Sequence, residues 1–236
     1  KNESDRSRAL SEIAQHLPQL WPEALSSIRK IKGDFFLSHM LSKIAQHLPE
    51  AVFSEALSSI REIQDESDRA GALSEIAQYW PELWPEALNS IREIKNESAR
   101  SSVLLAISQH LPEPIWSEAL SITCDIKDES SQTSMFYGMI KHLPEPLWPR
   151  AITILYSIQD KYNRSQALRI CIPHFSNLTN TFPNFEKALD TLTYQNRSAL
   201  IQLLPTLRPI IMRLGDSEET FSDVLQAMRE VCKQWP

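Results

Sequence analysis

A five-residue string recurs through this chain at a nearly fixed interval, and nothing else in the sequence constrains the fold as strongly. Ala14-Gln15-His16-Leu17-Pro18 returns as Ala45-Gln46-His47-Leu48-Pro49 and as Ala77-Gln78-Tyr79-Trp80-Pro81. It returns twice more, as Ser108-Gln109-His110-Leu111-Pro112 and Ile140-Lys141-His142-Leu143-Pro144, at steps of 31, 32, 31 and 32 residues. A second block, Trp21-Pro22-Glu23-Ala24-Leu25, recurs in step with openings at Phe53, Trp84, Trp116 and Trp148. Two degenerate copies follow. His174-Phe175 with Phe185-Glu186-Lys187-Ala188-Leu189 makes a sixth unit, and Ser198-Ala199-Leu200 with Phe221-Ser222-Asp223-Val224-Leu225 a seventh. A period in the range of roughly 20–50 residues means stacked units that cannot bury their apolar faces alone. The units run near 1–31, 32–63, 64–94, 95–126, 127–158, 159–192 and 193–236.

Each unit reads as two helices. In the first, Leu10, Ile13, Ala14 and Leu17 make one apolar stripe at helical spacing. Its start carries Asn2 with Asp5, and Asp65 with Asp68, which predicts a reciprocal N-terminal box with aspartate in place of glutamate. Pro18 and its four counterparts end that helix. The second helix is predicted to open at Pro22, Ser54, Pro85, Ser117 or Pro149, since proline and serine both suit a helix start. Glu23, Glu55, Glu86 and Glu118 then fall in its first turn, where the helix dipole favours acid. The fold class that follows is all-α: a right-handed α-solenoid of about seven helix-turn-helix repeats, forming one domain.

Only four glycines are present, where average usage would supply about sixteen, so loops needing positive φ are few. That argues against phosphate-cradling folds. The net charge of −6 repels a phosphate backbone and excludes nucleic acid as a main ligand. Cys124, Cys171 and Cys232 lie far apart inside helical patterns and read as buried free thiols. With no apolar run approaching the roughly 20 residues of a membrane span and no signal-peptide pattern, the expectation is a cytoplasmic protein off the membrane. Lys1-Asn2-Glu3-Ser4 matches the internal boundary Lys95-Asn96-Glu97-Ser98, which predicts a piece of a longer array.

The hairpin period, with Arg-Ala-Leu-x2-Ile-Ala-x2-Leu in its first helix, is similar to the tetratricopeptide class over nearly the whole chain. The family's Trp-x2-Leu-Gly-x2-Tyr signature is missing. The array also looks like degenerate repeats found C-terminal to NTPase modules in prokaryotic multidomain signalling proteins. That resemblance implies a sensor or partner-binding region.

The remaining signals weigh toward structure. His16, His47, His110, His142 and His174 share one repeat position, but stacked helices about 8–10 Å apart cannot bring equivalent residues onto one ion. They read as C-terminal helix residues whose rings meet free carbonyls, and no metal or other cofactor is expected. The aromatic at each second-helix entry reads as a corner plug. No nucleophile elbow, P-loop or dinucleotide fingerprint occurs, so no catalytic residue is assigned and the chain is not expected to be an enzyme. The alternative is a helical-repeat enzyme with a pocket on its concave face, which an off-pattern inward residue would mark. His39 is the only histidine off the ladder.

One irregularity points outward. Ser11, Ser42 and Ser74 suit solvent, whereas the same position later holds Leu105, Tyr137, Arg169 and Ile201. In the fifth unit Met135–Ile140 is apolar round the helix, which means something covers it. Burial within a tighter superhelix would account for this. The functional reading is a partner groove along Leu105, Tyr137, Arg169 and Ile201, since such residues are enriched at interface cores. The expected role is a protein-interaction scaffold. Its partner would be another protein, a peptide, or the part of the same polypeptide preceding Lys1.

Overall fold

The computed structural model describes residues 3–171 and, beyond them, the single helical positions Arg208, Ser222, Gln226 and Arg229. Every regular element from 3 to 171 is helical. Five hairpins and the first helix of a sixth follow in order: α1 (Glu3–Ala14) and α2 (Trp21–Ile28), α3 (Asp34–Ile44) and α4 (Glu50–Arg61), α5 (Glu66–Ala77) and α6 (Trp84–Glu93), α7 (Glu97–Ile107) and α8 (Trp116–Cys124), α9 (Glu129–Met139) and α10 (Trp148–Ser157), and α11 (Lys161–Cys171). The protein is an all-α helical repeat. The rest of the sixth repeat, the seventh, and Ile201 lie outside the described residues. None of the described helices is long and apolar enough to cross a membrane.

The hairpin corner follows from its prolines and its aromatic. First helices end four or five positions before the proline, and the chain passes into 3₁₀ turns such as Pro18–Leu20 and Pro81–Leu83. Trp21, Trp84, Trp116 and Trp148 then open the second helices at 1–4% exposure, and the Trp116 ring N–H donates to the Leu111 carbonyl at 3.1 Å. The corner plug is therefore present in four of the five described hairpins. In the second, α4 begins at Glu50 rather than near Ser54. Ala51 stands there in place of Pro114 and Pro146, which sit in the 3₁₀ turns Glu113–Ile115 and Glu145–Leu147 of the fourth and fifth hairpins. Phe53 is only half-buried and stacks on Trp80 at 4.1 Å.

Second helices bury one stripe throughout: Ala24, Leu25 and Ile28 in the first repeat, Ala87, Leu88 and Ile91 in the third. First helices pack on the next first helix (α1 on α3, α3 on α5, α5 on α7; α9 on α11). The fifth unit buries Met135, Phe136, Met139 and Ile140 on its own helix-one core.

Three ladders of polar contacts tie neighbouring repeats. At the first, Asp34 accepts the N–H groups of Gln64 (2.8 Å) and Asp65 (2.6 Å). Glu129 accepts those of Gln159 and Asp160 at 2.8 and 2.7 Å, and Glu66 that of Lys95 at 3.0 Å. The acid at the head of each of these helices thus caps the loop one repeat ahead. This replaces the expected reciprocal box: Asp65 does accept from the Ser67 and Asp68 N–H groups at 2.9 Å, but its own N–H belongs to Asp34. At the second ladder, Arg69 donates to the Ile63 carbonyl (2.8 Å) and Arg164 to that of Ile158 (2.7 Å), which satisfies orphan groups at the end of the preceding second helix. Gln132 does the same for Thr123 at 3.1 Å. The third pairs arginine and glutamate on successive second helices: Arg29–Glu55 at 3.4 Å, Arg61–Glu86 at 2.7 Å and Arg92–Glu118 at 2.8 Å.

The chain divides into two compact units, Lys1–Ile122 and Thr123–Pro236.

Candidate interaction surface

The repeat position singled out by sequence behaves in an unexpected way. Ser11 and Ser74, expected in solvent, are 3% and 0% exposed, and Ser42 is half-buried. Each buried hydroxyl donates to the carbonyl four residues earlier, Ser11 to Ser7 at 2.8 Å and Ser74 to Ala70 at 2.7 Å. Serine can be buried in a helix because it satisfies its own proton locally and is small enough for the space. The larger residues at this position stand out instead. Leu105 is 36% exposed, Tyr137 is 55% exposed with the Lys141 ammonium 5.6 Å from its ring centre, and Arg169 is half-buried. Leu105 belongs to the first compact unit, Tyr137 and Arg169 to the second.

Exposed large apolar residues follow a rule. Among the described residues they are Ile13, Leu17, Phe35, Phe36, Tyr79, Leu105, Tyr137 and Tyr162. All lie on first helices or the turn that ends them, and none lies on a second helix. Ile13 lies on α1 and Leu17 in the turn that follows it.

Phe35 and Phe36 form the densest patch. They are 64% and 56% exposed, meet edge to face at 5.6 Å, and Phe35 lies parallel to the His39 ring at 6.3 Å. They line an open groove of about 660 Å³ together with Arg8, Lys30, Ile31, Lys32, Glu3 and Asp5. Sequence reasoning passed over this pair, yet the signal was legible. Where α3 carries Phe35-Phe36, other first helices carry Ser4-Asp5, Ser67-Asp68, Ser98-Ala99 and Ser130-Ser131. Its N-cap is Gly33 at φ 98°, with no side-chain cap bond, where Asp65, Asn96 and Asp128 cap with their side chains.

The other candidates resolve into structure. His16, His47, His110 and His142 are all exposed. The expected ring-to-carbonyl bond is not made among the described residues, and His47 meets the Gln46 side-chain amide at 2.9 Å. Cys171 is buried, and burial pushes its thiol well above the ordinary range. Cys124 is exposed, not buried as its helical context suggested. Its thiol is also raised, by partial burial, with the Arg150 charge opposing. Among the described residues no group of three or more His, Cys, Asp or Glu side chains converges as a metal ion would need. The carboxylates at the helix starts act as caps and clamps. Glu66 is held below the usual 4.5 by the Lys95 ammonium and N–H, and Glu86 by the Arg61 guanidinium.

No protein-family model matches the chain, and comparisons with curated proteins and with solved structures return no significant match.

Proposed function

We propose that this chain is a protein-interaction scaffold or sensor region, tetratricopeptide-like in kind and non-catalytic in itself, within a larger multidomain signalling protein. The observation that carries the reading is the confinement of exposed large apolar side chains to the first helices. Polar satisfaction alone would distribute such residues over both helix layers. A layer that keeps aromatic and aliphatic side chains in water has the composition of an interface core. The second helices, tied by arginine–glutamate pairs within residues 3–122, supply the frame there. Leu105, Tyr137 and Arg169 remain candidate contacts, with Ile201 their counterpart by repeat position.

The test is to pan an unbiased displayed peptide library over the full chain and to map the selected peptides by hydrogen exchange. Protection is expected on first helices, chiefly α3, α7 and α9. Failure to select any peptide, or protection confined to second helices, would refute the scaffold reading.

A further inference from the structure

We propose that the groove beside Phe35 and Phe36 is the docking site for an acidic peptide segment that carries an apolar anchor residue. This rests on the scaffold reading and gives it a place and a partner chemistry. Four substitutions relative to the repeat converge on this spot. Phe35 and Phe36 replace a serine and, in two sister repeats, an aspartate; His39 stands where Gly71, Ser102 and Ser134 stand, and where the first repeat has Arg8. Lys30 occupies the position of Glu62, Glu93 and Asp125. The groove has therefore lost acid, gained base and gained two aromatic rings, in a chain whose net charge is −6.

The charges around it are also unspent. Within residues 3–122, Arg6, Arg29, Arg61, Arg69, Arg92, Arg100 and Lys95 all pair with a carboxylate. Arg8, Lys30, Lys32 and Lys43 make no ion pair among the described residues, and the first three line the groove. Against them stand Glu3 and Asp5, so three cations face two acids and the lining is positive by one. Nothing in the fold calls for the aromatics: Gly33 forgoes the side-chain cap that Asp65, Asn96 and Asp128 provide. A place where local rules are broken without structural gain is where function is expected. An aromatic or aliphatic side chain would seat on the Phe35 and Phe36 rings, which adapt to an edge-to-face partner, while flanking carboxylates meet Lys30, Lys32 and Arg8.

Three labelled decapeptides test this by fluorescence anisotropy on the full chain: one phenylalanine among glutamates, the same phenylalanine among lysines, and the glutamate peptide with alanine for phenylalanine. Only the first is expected to saturate. Phe35→Ser with Phe36→Ser, and separately Lys30→Glu with Lys32→Glu, should each weaken it by about tenfold or more. Lys43→Glu, away from the groove, should leave it unchanged, and circular dichroism should show all variants equally helical. Equal binding of the lysine or the alanine peptide would overturn the proposal, as would absence of saturation by all three. If it is overturned while library-selected peptides still protect α7 or α9, the scaffold reading survives without this site; if no peptide of either kind binds, both fall.

Discussion

Between the second helices of residues 3–122, each arginine reaches the glutamate one repeat on: Arg29 to Glu55, Arg61 to Glu86, Arg92 to Glu118. The same register from 123 to 171 is filled differently. Cys124 takes the arginine's place, Arg150 the glutamate's and Tyr156 the next arginine's, while Ile154 replaces the buried Ser27, Ser59 and Ser90. The cores beneath are alike: Ile28, Ile91 and Leu155, at one repeat position, are all fully buried. The contrast teaches that the apolar stripe holds the hairpins and the charge ladder is an addition to it. Half-exposed ion pairs contribute little stability. They favour one register of neighbour on neighbour, since slippage would set like charges together.

If each unit rests on its own core, the largest effect comes from removing a corner plug. Trp84→Ala should destabilise the first unit by about 3–5 kcal/mol. Hydrogen exchange is expected to quicken across residues 3–122 and to stay unchanged in 123–171, because stacked repeats couple mainly to their neighbours. Equal quickening in both would show one cooperative body and erase the contrast.

The clamps come next. Glu129→Ala removes the acceptor of two backbone N–H groups, which water can partly replace, so the cost should be about 1 kcal/mol in urea melts. Glu129→Gln, which keeps one acceptor oxygen, should lose less. Equal melts for both variants and the parent would show the clamp to be ornamental.

These clamps mark the limit of what the sequence discloses. Period, hairpin corners and the buried stripe of the second helices were legible because apolar spacing and proline act locally; of the expected first-helix stripe, Ala14 is buried but Ile13 and Leu17 are exposed. The partner of an acid was not: Asp34 and Glu129 resemble ordinary helix-start acids, and only stacking shows that they serve a loop 30 or 31 residues ahead. Ser11 and Ser74 misled for a related reason. Their polarity suggested solvent, yet the bond to a carbonyl on their own helix allows burial. Of the candidate surface, Tyr137 and Leu105 were identifiable as departures from the repeat. Phe35 and Phe36 were equally irregular, but a comparison keyed to one helix position did not reach them.

Acid should strike the first unit's clasp selectively. The Glu86 carboxyl is held below its usual 4.5, first by its hydrogen bonds to Arg61. A folded value below the unfolded one means that this stabilisation is complete above about pH 4.5 and is lost as pH falls through the folded value. Arg150, at the same position in the second unit, has no proton to gain there. Thermal melts from pH 6 to 3 should therefore fall less steeply for Glu86→Gln than for the parent; parallel curves would remove Glu86 from the account. Asp68 has the opposite sign. Burial first, then the Asp65 and Asp34 charges, raise its carboxyl, so Asp68→Asn should slightly stabilise the protein at neutral pH.

The smallest effect tests the contrast most directly. A double-mutant cycle on Arg92 and Glu118, whose side chains are each 35% exposed, should give a coupling of about 0.2–1 kcal/mol that shrinks with added salt. The converse is to build the clasp where it is missing. Cys124→Arg with Arg150→Glu places the first unit's pair in the second unit's register, and both positions are exposed enough to accept it. Each single change should be unfavourable, Cys124→Arg because it sets a cation against Arg150 and Arg150→Glu because it leaves an acid without a partner. Together they should recover a coupling of the same size, with the same salt dependence, as Arg92 and Glu118. Recovery would establish that the ladder is a register device transferable along the repeat. A double variant no better than the sum of its singles would mean that the hairpins after Thr123 stack in a geometry of their own, and that the loss of the clasp is a consequence of that geometry.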